Sequence, residues 1–171
     1  MAKVSNKQIL LVLFSVLLVA IFAENYSSTE LINEEQIGEE VMNKENSIRE
    51  IKNGTRINMH INNKTIPGIL NDGKPAKELI DRLPYTIHAS KYDFDICGVM
   101  DKPLSFNDED LVPGWKNGDI DFTTQGNYFT ILYDNEENCY GEFVNLGVID
   151  CDPSIIAEIN GSFDILIELA D

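Results

Sequence analysis

Polar and apolar residues alternate along Arg56-Ile57-Asn58-Met59-His60-Ile61, the two-residue period of a half-buried strand. Asn62-Asn63 follows as a tight turn, because Asn tolerates the positive φ that such a turn demands. Residues 64–70 return as a second strand, and Pro67 marks it as an edge or a bulge. The period then changes. Within residues 75–83, Ala76, Leu79, Ile80 and Leu83 share one helical face, Pro75 suits the first turn, and Pro84 stops the helix. Residues 85–90 read as a third strand with Tyr85, Ile87 and Ala89 on one face. Residues 95–100 can pair with it. Residues 102–117 form a long acidic loop containing Pro103, Pro113 and Trp115. Residues 119–124 and 128–133 flank Gln125-Gly126-Asn127, a hairpin turn with a glycine free to take positive φ. Residues 143–149 form another strand. Residues 153–159 make a second short helix, with Asp152 as N-cap and Pro153 at its first position. Residues 163–169 close the chain, with Phe163, Ile165, Ile167 and Leu169 on one face. About eight strands and two short helices result, a mainly β chain. Eight antiparallel strands close into a barrel narrow enough for side chains to fill.

The domain runs over residues 55–171, and two regions precede it. Residues 1–23 carry Lys3 and Lys7 and then, from Ile9, only Ser15 interrupts the apolar run. As a helix, residues 9–23 would span about 22 Å, short of the roughly 30 Å hydrocarbon core. That favours a signal peptide. Cleavage after Ala23 would leave Ile21 two places before, and cleavage after Ala20 would leave Leu18, so an uncleaved signal anchor stays open. No cysteine lies near the end of the segment, which closes the lipoprotein route. Residues 24–54 are rich in Glu, Asn and Ser. Leu31, Ile37, Val41 and Ile48 are too loosely spaced for more than a frayed helix, so the region reads as an acidic stalk. The expectation is an extracytoplasmic domain, secreted or held at a membrane by its N-terminal segment.

Net charge is −16, and of the 13 bases two precede Glu24 whereas none of the 29 acids does. Such a surface repels nucleic acid backbones and anionic lipid, so no nucleic-acid partner is expected, and membrane contact only through the N-terminal segment. Cys97, Cys139 and Cys151 are odd in number and show no metal-binding spacing. They read as small buried hydrophobes, with a Cys139–Cys151 bridge the lesser alternative.

The order of elements resembles the cyclophilin-like domains of bacteria and archaea, small barrels mostly without assigned activity. The features that carry the resemblance are the opening hairpin, the short helix ending at Leu83-Pro84, and Gly118-Asp119-Ile120 after a loop with Pro113. The aromatic-rich strand Tyr128-Phe129-Thr130-Ile131-Leu132-Tyr133 follows. Val144-Asn145-Leu146-Gly147-Val148-Ile149 then leads into a helix and a closing strand. The resemblance covers residues 55–170 and implies a cyclophilin-like closed eight-stranded antiparallel barrel. The chain departs from the family at Gln125-Gly126-Asn127, where Trp is common, and at Val148, where Arg is common. True cyclophilins isomerise prolyl bonds with an arginine on the open barrel face, among aromatic residues and a histidine. Here Arg56 starts the first strand and Arg82 lies on the first helix, so neither maps onto that arginine.

No catalytic residue, cofactor or metal is therefore assigned. His60 and His88 fall on the polar phase of their strands and read as solvated. The acid pairs Asp93/Asp95, Asp119/Asp121 and Asp150/Asp152, and the clusters 108–110 and 134–137, match no calcium loop and read as solvent-facing. Trp115, Phe106, Tyr128 and Tyr140 either cap the core or line a groove. The expected ligand contacts are Trp115, Tyr128 and Tyr140, for a peptide, glycan or protein partner. Asn25, Asn53, Asn63 and Asn160 begin Asn-x-Ser/Thr triplets and are candidate glycosylation acceptors. The competing reading is a peptidyl-prolyl isomerase.

Overall fold

The computed structural model describes residues 49–171; the apolar N-terminal segment, most of the stalk and Asn25 lie outside the described residues. Among the described residues nine strands appear in chain order: β1 Thr55–Ile61, β2 Lys64–Leu70, β3 Tyr85–Lys91, β4 Asp95–Val99, β5 Leu111–Pro113, β6 Asp119–Thr123, β7 Tyr128–Leu132, β8 Glu142–Ile149 and β9 Ser162–Leu169. Two short helices interrupt them, α1 Lys74–Ile80 and α2 Ser154–Ala157. The sheet order is β2-β1-β9-β3-β4-β7-β6-β8-β5, and β2 also pairs with β8. That last pairing closes eight antiparallel strands into a ring, leaving β5 as an extra strand on β8. Among the described residues no helix is long and apolar enough to cross a membrane.

The seam of the ring is short. Gly68, Ile69 and Leu70 pair with Ile149, Val148 and Gly147. Pro67, which has no N–H to donate, sits where this ladder stops, and its carbonyl accepts from the Asp150 N–H at 2.8 Å. At Gly147 the strands approach so closely that an added Cβ would lie 2.2 Å from the Ile69 carbonyl oxygen. The seam therefore requires glycine there.

Alternate residues of the strands fill the interior: Ile57, Met59 and Ile61 of β1, Ile120 and Phe122 of β6, Phe129 and Ile131 of β7, and Phe163, Ile165 and Ile167 of β9. Ala76 and Leu79 of α1 and Ile156 of α2 complete the core. Leu169, the last residue of β9, breaks the expected pattern and is exposed: it pairs with Ile57 of β1, but the ladder with β3 stops at Ile167. The long acidic loop holds more order than its sequence suggests. Asn107 caps a 3-10 turn over residues 108–110, which leads directly into β5.

Residues 49–54 precede β1, with Glu50, Lys52 and Asn53 exposed, and Arg49 reaches the barrel. Arg49 donates from Nε and an Nη to the two carboxylate oxygens of Asp119, at 3.1 and 2.9 Å. The packed unit accordingly includes these residues.

Candidate functional site

The outer face of β4, β7, β6 and β8 differs from the rest of the surface. Registration across these strands sets Cys97 opposite Thr130, Thr130 opposite Asp121, and Asp121 opposite Asn145. This row alternates with the core residues and so points out of the barrel. It is nevertheless closed to solvent at its centre, where Thr130 and Asp121 are buried. Asp95 and Leu132 flank the row on one side, and Tyr128 and Thr123 on the other.

Loops roof this face with aromatic rings. Trp115, from the segment before β6, stacks on Phe94 with centroids 5.2 Å apart and planes at 11°. It meets Tyr140 and Phe143 edge-on at 5.5 and 5.6 Å. Its indole N–H donates to the Asp134 carbonyl at 3.0 Å, which ties it to the β7–β8 loop. Trp115 is 4% exposed, yet it belongs to this outer cluster and not to the barrel interior. Beside the cluster opens a depression of about 550 Å³. Trp115, Tyr128, Tyr140, Phe94 and Phe143 supply its rings, Asp95 and Glu142 its charges, and residues 123–125 a polar rim.

The turn between β6 and β7 sets one wall. Gly126 adopts φ +97°, and an added Cβ would lie 2.3 Å from Cε2 of Tyr128. Glycine thus leaves the room the ring occupies. Tyr128 and Tyr140 remain open to solvent, whereas Phe94 and Phe143 are half-buried. The three residues expected from sequence to contact a ligand therefore meet at one place. Phe106 does not join them. It packs against the core, 6.4 Å from Phe122.

The titratable groups of this face are unusual. Burial raises the Asp95 carboxyl above its ordinary value, against a hydrogen bond from Thr130 Oγ1 at 3.0 Å. Burial, and then the Asp95 charge, push the Cys97 thiol up to about 11, which removes it as a nucleophile near neutral pH. Asp119 and Asp121 were expected in solvent and are instead completely buried. Period tells which face a residue takes, not what covers that face. Asp119 holds Arg49 and accepts from the Lys116 N–H at 2.8 Å. Asp121 accepts from Asn145 Nδ2 at 2.8 Å, and its other oxygen has no partner. Burial first and the neighbouring Asp119 charge second raise Asp121 well above the usual carboxylate range.

The other sequence candidates lie elsewhere. His60 is half-buried on the outer face of β1 and contacts Thr65 and Glu168 at 3.1 and 2.8 Å. His88 is exposed on β3 and contacts Asp164 at 2.9 Å. Cys139 is exposed and Cys97 and Cys151 are half-buried, so the cysteines are not uniformly core residues; all three are free thiols. Asn53, Asn63 and Asn160 are exposed. Among the described residues no group of His, Cys, Asp and Glu is placed to hold a metal ion.

Arg56 pairs with Asp150 at 2.8 Å. Arg82 binds Glu78 and the carbonyls of Lys102 and Pro103. With Arg49 on Asp119, each described arginine is engaged away from the depression, which neither arginine nor histidine lines. Sequence reasoning missed Arg49, Asp95, Phe94 and Phe143. The nearest signal was the Phe94-Asp95 pair at the head of a predicted strand.

Known proteins place the fold. The solution structure of a hypothetical protein from Archaeoglobus fulgidus is similar, with a TM-score of 0.57 at 11% identity, over 68% of this chain and 95% of that one. At that identity the likeness concerns the fold alone. No curated protein matches the sequence. The family model described as the cyclophilin-like family matches residues 59–168, which spans the barrel from β1 to β9, and the chain belongs to that family.

Proposed function

We propose that this barrel is an exported or membrane-tethered binding module without catalytic activity, and that it takes a peptide, glycan or protein partner in the depression beside Trp115. Trp115, Tyr128 and Tyr140 are its ligand contacts. The observation that carries this reading is the pairing of an aromatic depression on the outer barrel face with an absence of arginine from its lining. A cyclophilin-type isomerase needs a guanidinium beside the prolyl amide, to weaken a bond whose rotational barrier is about 18–20 kcal/mol. Arg49, Arg56 and Arg82 are each bound to other groups. Fold does not decide function, so the site decides it. The aromatic lining also suits a proline ring, which keeps isomerase activity as the second reading.

A proline-peptide isomerisation assay tests the choice. The expected result is relaxation at the uncatalysed rate, over tens to hundreds of seconds. Clear acceleration would overturn the binding-only reading, and Arg56→Ala and Arg82→Ala would then show whether either arginine is responsible. Export rests on Lys3, Lys7 and the apolar run up to Ala23. Protease added to intact cells or spheroplasts is expected to reach the barrel. Protection until lysis would reject export.

A further inference from the structure

We propose that the depression recognises a substituted ammonium group, either a free alkylammonium compound or a lysine-type side chain presented by a peptide. This deepens the binding reading above and rests on it. Three observations lead there. Aromatic rings attract cations through the negative potential of their faces, and clustered rings are the usual receptor for alkylated ammonium. Tyr128 and Tyr140 keep open surface at the mouth, 38% and 65% exposed, while Trp115, Phe94 and Phe143 stand behind them.

The second observation is charge. Asp95 and Glu142 are the charged groups among the described lining residues, which include no base. The β7–β8 loop that carries Tyr140 adds Asp134, Glu136 and Glu137 and has no lysine or arginine. Lys91, at the end of β3, is not a lining residue; its ammonium donates to the Ala157 carbonyl at 2.5 Å and lies over the Tyr133 ring, 5.6 Å from its centroid. The third observation is the whole chain. A net charge of −16 draws cations and repels acidic ligands before any contact forms. An anionic or strongly phosphorylated ligand would meet these acids, with no base among the described lining residues. A volume of about 550 Å³ admits a trimethylammonium head with several carbons of its chain.

The test uses the full chain and two matched pairs of probes. Choline is compared with 3,3-dimethylbutan-1-ol, its uncharged isostere. A hexapeptide with a central lysine is compared with the same peptide carrying norleucine. Trp115 is the sole tryptophan, so its fluorescence reports the depression directly. At least one cationic probe is expected to give a saturable change, with Kd of about millimolar order for so small a ligand. Its neutral counterpart should bind at least about tenfold more weakly. Choline alone responding identifies a small amine as the source, and the lysine peptide alone responding identifies a side chain. Tyr140→Ala and Glu142→Gln, both at exposed positions, should each weaken binding several-fold with unchanged thermal melting, and His88→Ala should not. If the neutral probes bind as well as the cationic ones, the ammonium assignment falls while the binding reading stands. If no probe binds, the ammonium assignment again falls, and the binding reading then depends on whether any other ligand class reaches the same residues.

Discussion

Replacing Asp121 by asparagine should stabilise the barrel, and by more as pH rises. In the folded chain one Asp121 oxygen meets Asn145 and the other meets nothing, with the buried Asp119 alongside. Its carboxyl titrates well above the ordinary 3.8 because burial and Asp119 both disfavour the charged form. A carboxyl raised in the folded state binds a proton that the unfolded chain has already released. Its stability is therefore fully present below the ordinary carboxylate value and is lost as pH climbs from there through the raised folded value. The substituted amide would carry no charge and would keep an acceptor toward Asn145. A buried unsatisfied group costs about 1–3 kcal/mol and more when charged; the amide escapes only the part that charge adds, so about 1–2 kcal/mol is expected at pH 8. For a domain of this size each kcal/mol shifts Tm by about 3–5 °C. Urea denaturation of D121N and the parent chain between pH 4 and pH 8 measures the difference. The gap should open with pH and nearly vanish at the acid end. A gap independent of pH would refute the titration argument. A variant less stable at pH 8 would likewise refute it.

Other consequences follow from the same contacts. Arg49→Ala leaves the buried Asp119 with the Lys116 N–H; breaking a buried pair costs about 3–5 kcal/mol, and partial exposure of Arg49 lowers the expectation to about 2–3 kcal/mol in urea melts. A loss under about 0.5 kcal/mol would mean that the segment before β1 does not cover β6. Gly147→Ala sets a Cβ 2.2 Å from the Ile69 carbonyl oxygen and should open the β2–β8 seam, with a loss of about 3 kcal/mol or more and faster amide exchange at Gly68 and Leu70. Gly126→Ala should cost about 1–3 kcal/mol in urea melts, because φ +97° strains an alanine, and should shift the Tyr128 ring resonances, since the added methyl meets that ring.

Much of the barrel is legible from residue order because β1, β2 and β9 alternate cleanly, and turns such as Asn62-Asn63 carry their own chemistry. Asn62 indeed takes φ +54°. β5 is not legible, being three residues within an acidic loop, one of them proline. Trp115, Tyr128 and Tyr140 stand out because large aromatics beside turns have few places to go. Their companions do not. Phe94 and Phe143 reach Trp115 only once β4 lies beside β7 and β8 beside β6. Asp119 and Asp121 look solvent-facing because Arg49, which binds Asp119, comes 70 residues earlier. Such a pairing leaves no local periodicity to read.

The central claim is that ligands meet this barrel at the outer aromatic depression. Its most direct test is two-dimensional ¹⁵N NMR of the full chain, in which Trp115 contributes the one indole N–H signal. Pools of lysine-, arginine- and proline-containing peptides and of oligosaccharides are titrated in turn. At least one pool should give saturable shifts confined to the Trp115 indole, residues 123–128 and residues 140–143. Saturable shifts on another face of the barrel, or silence from every pool, would contradict it.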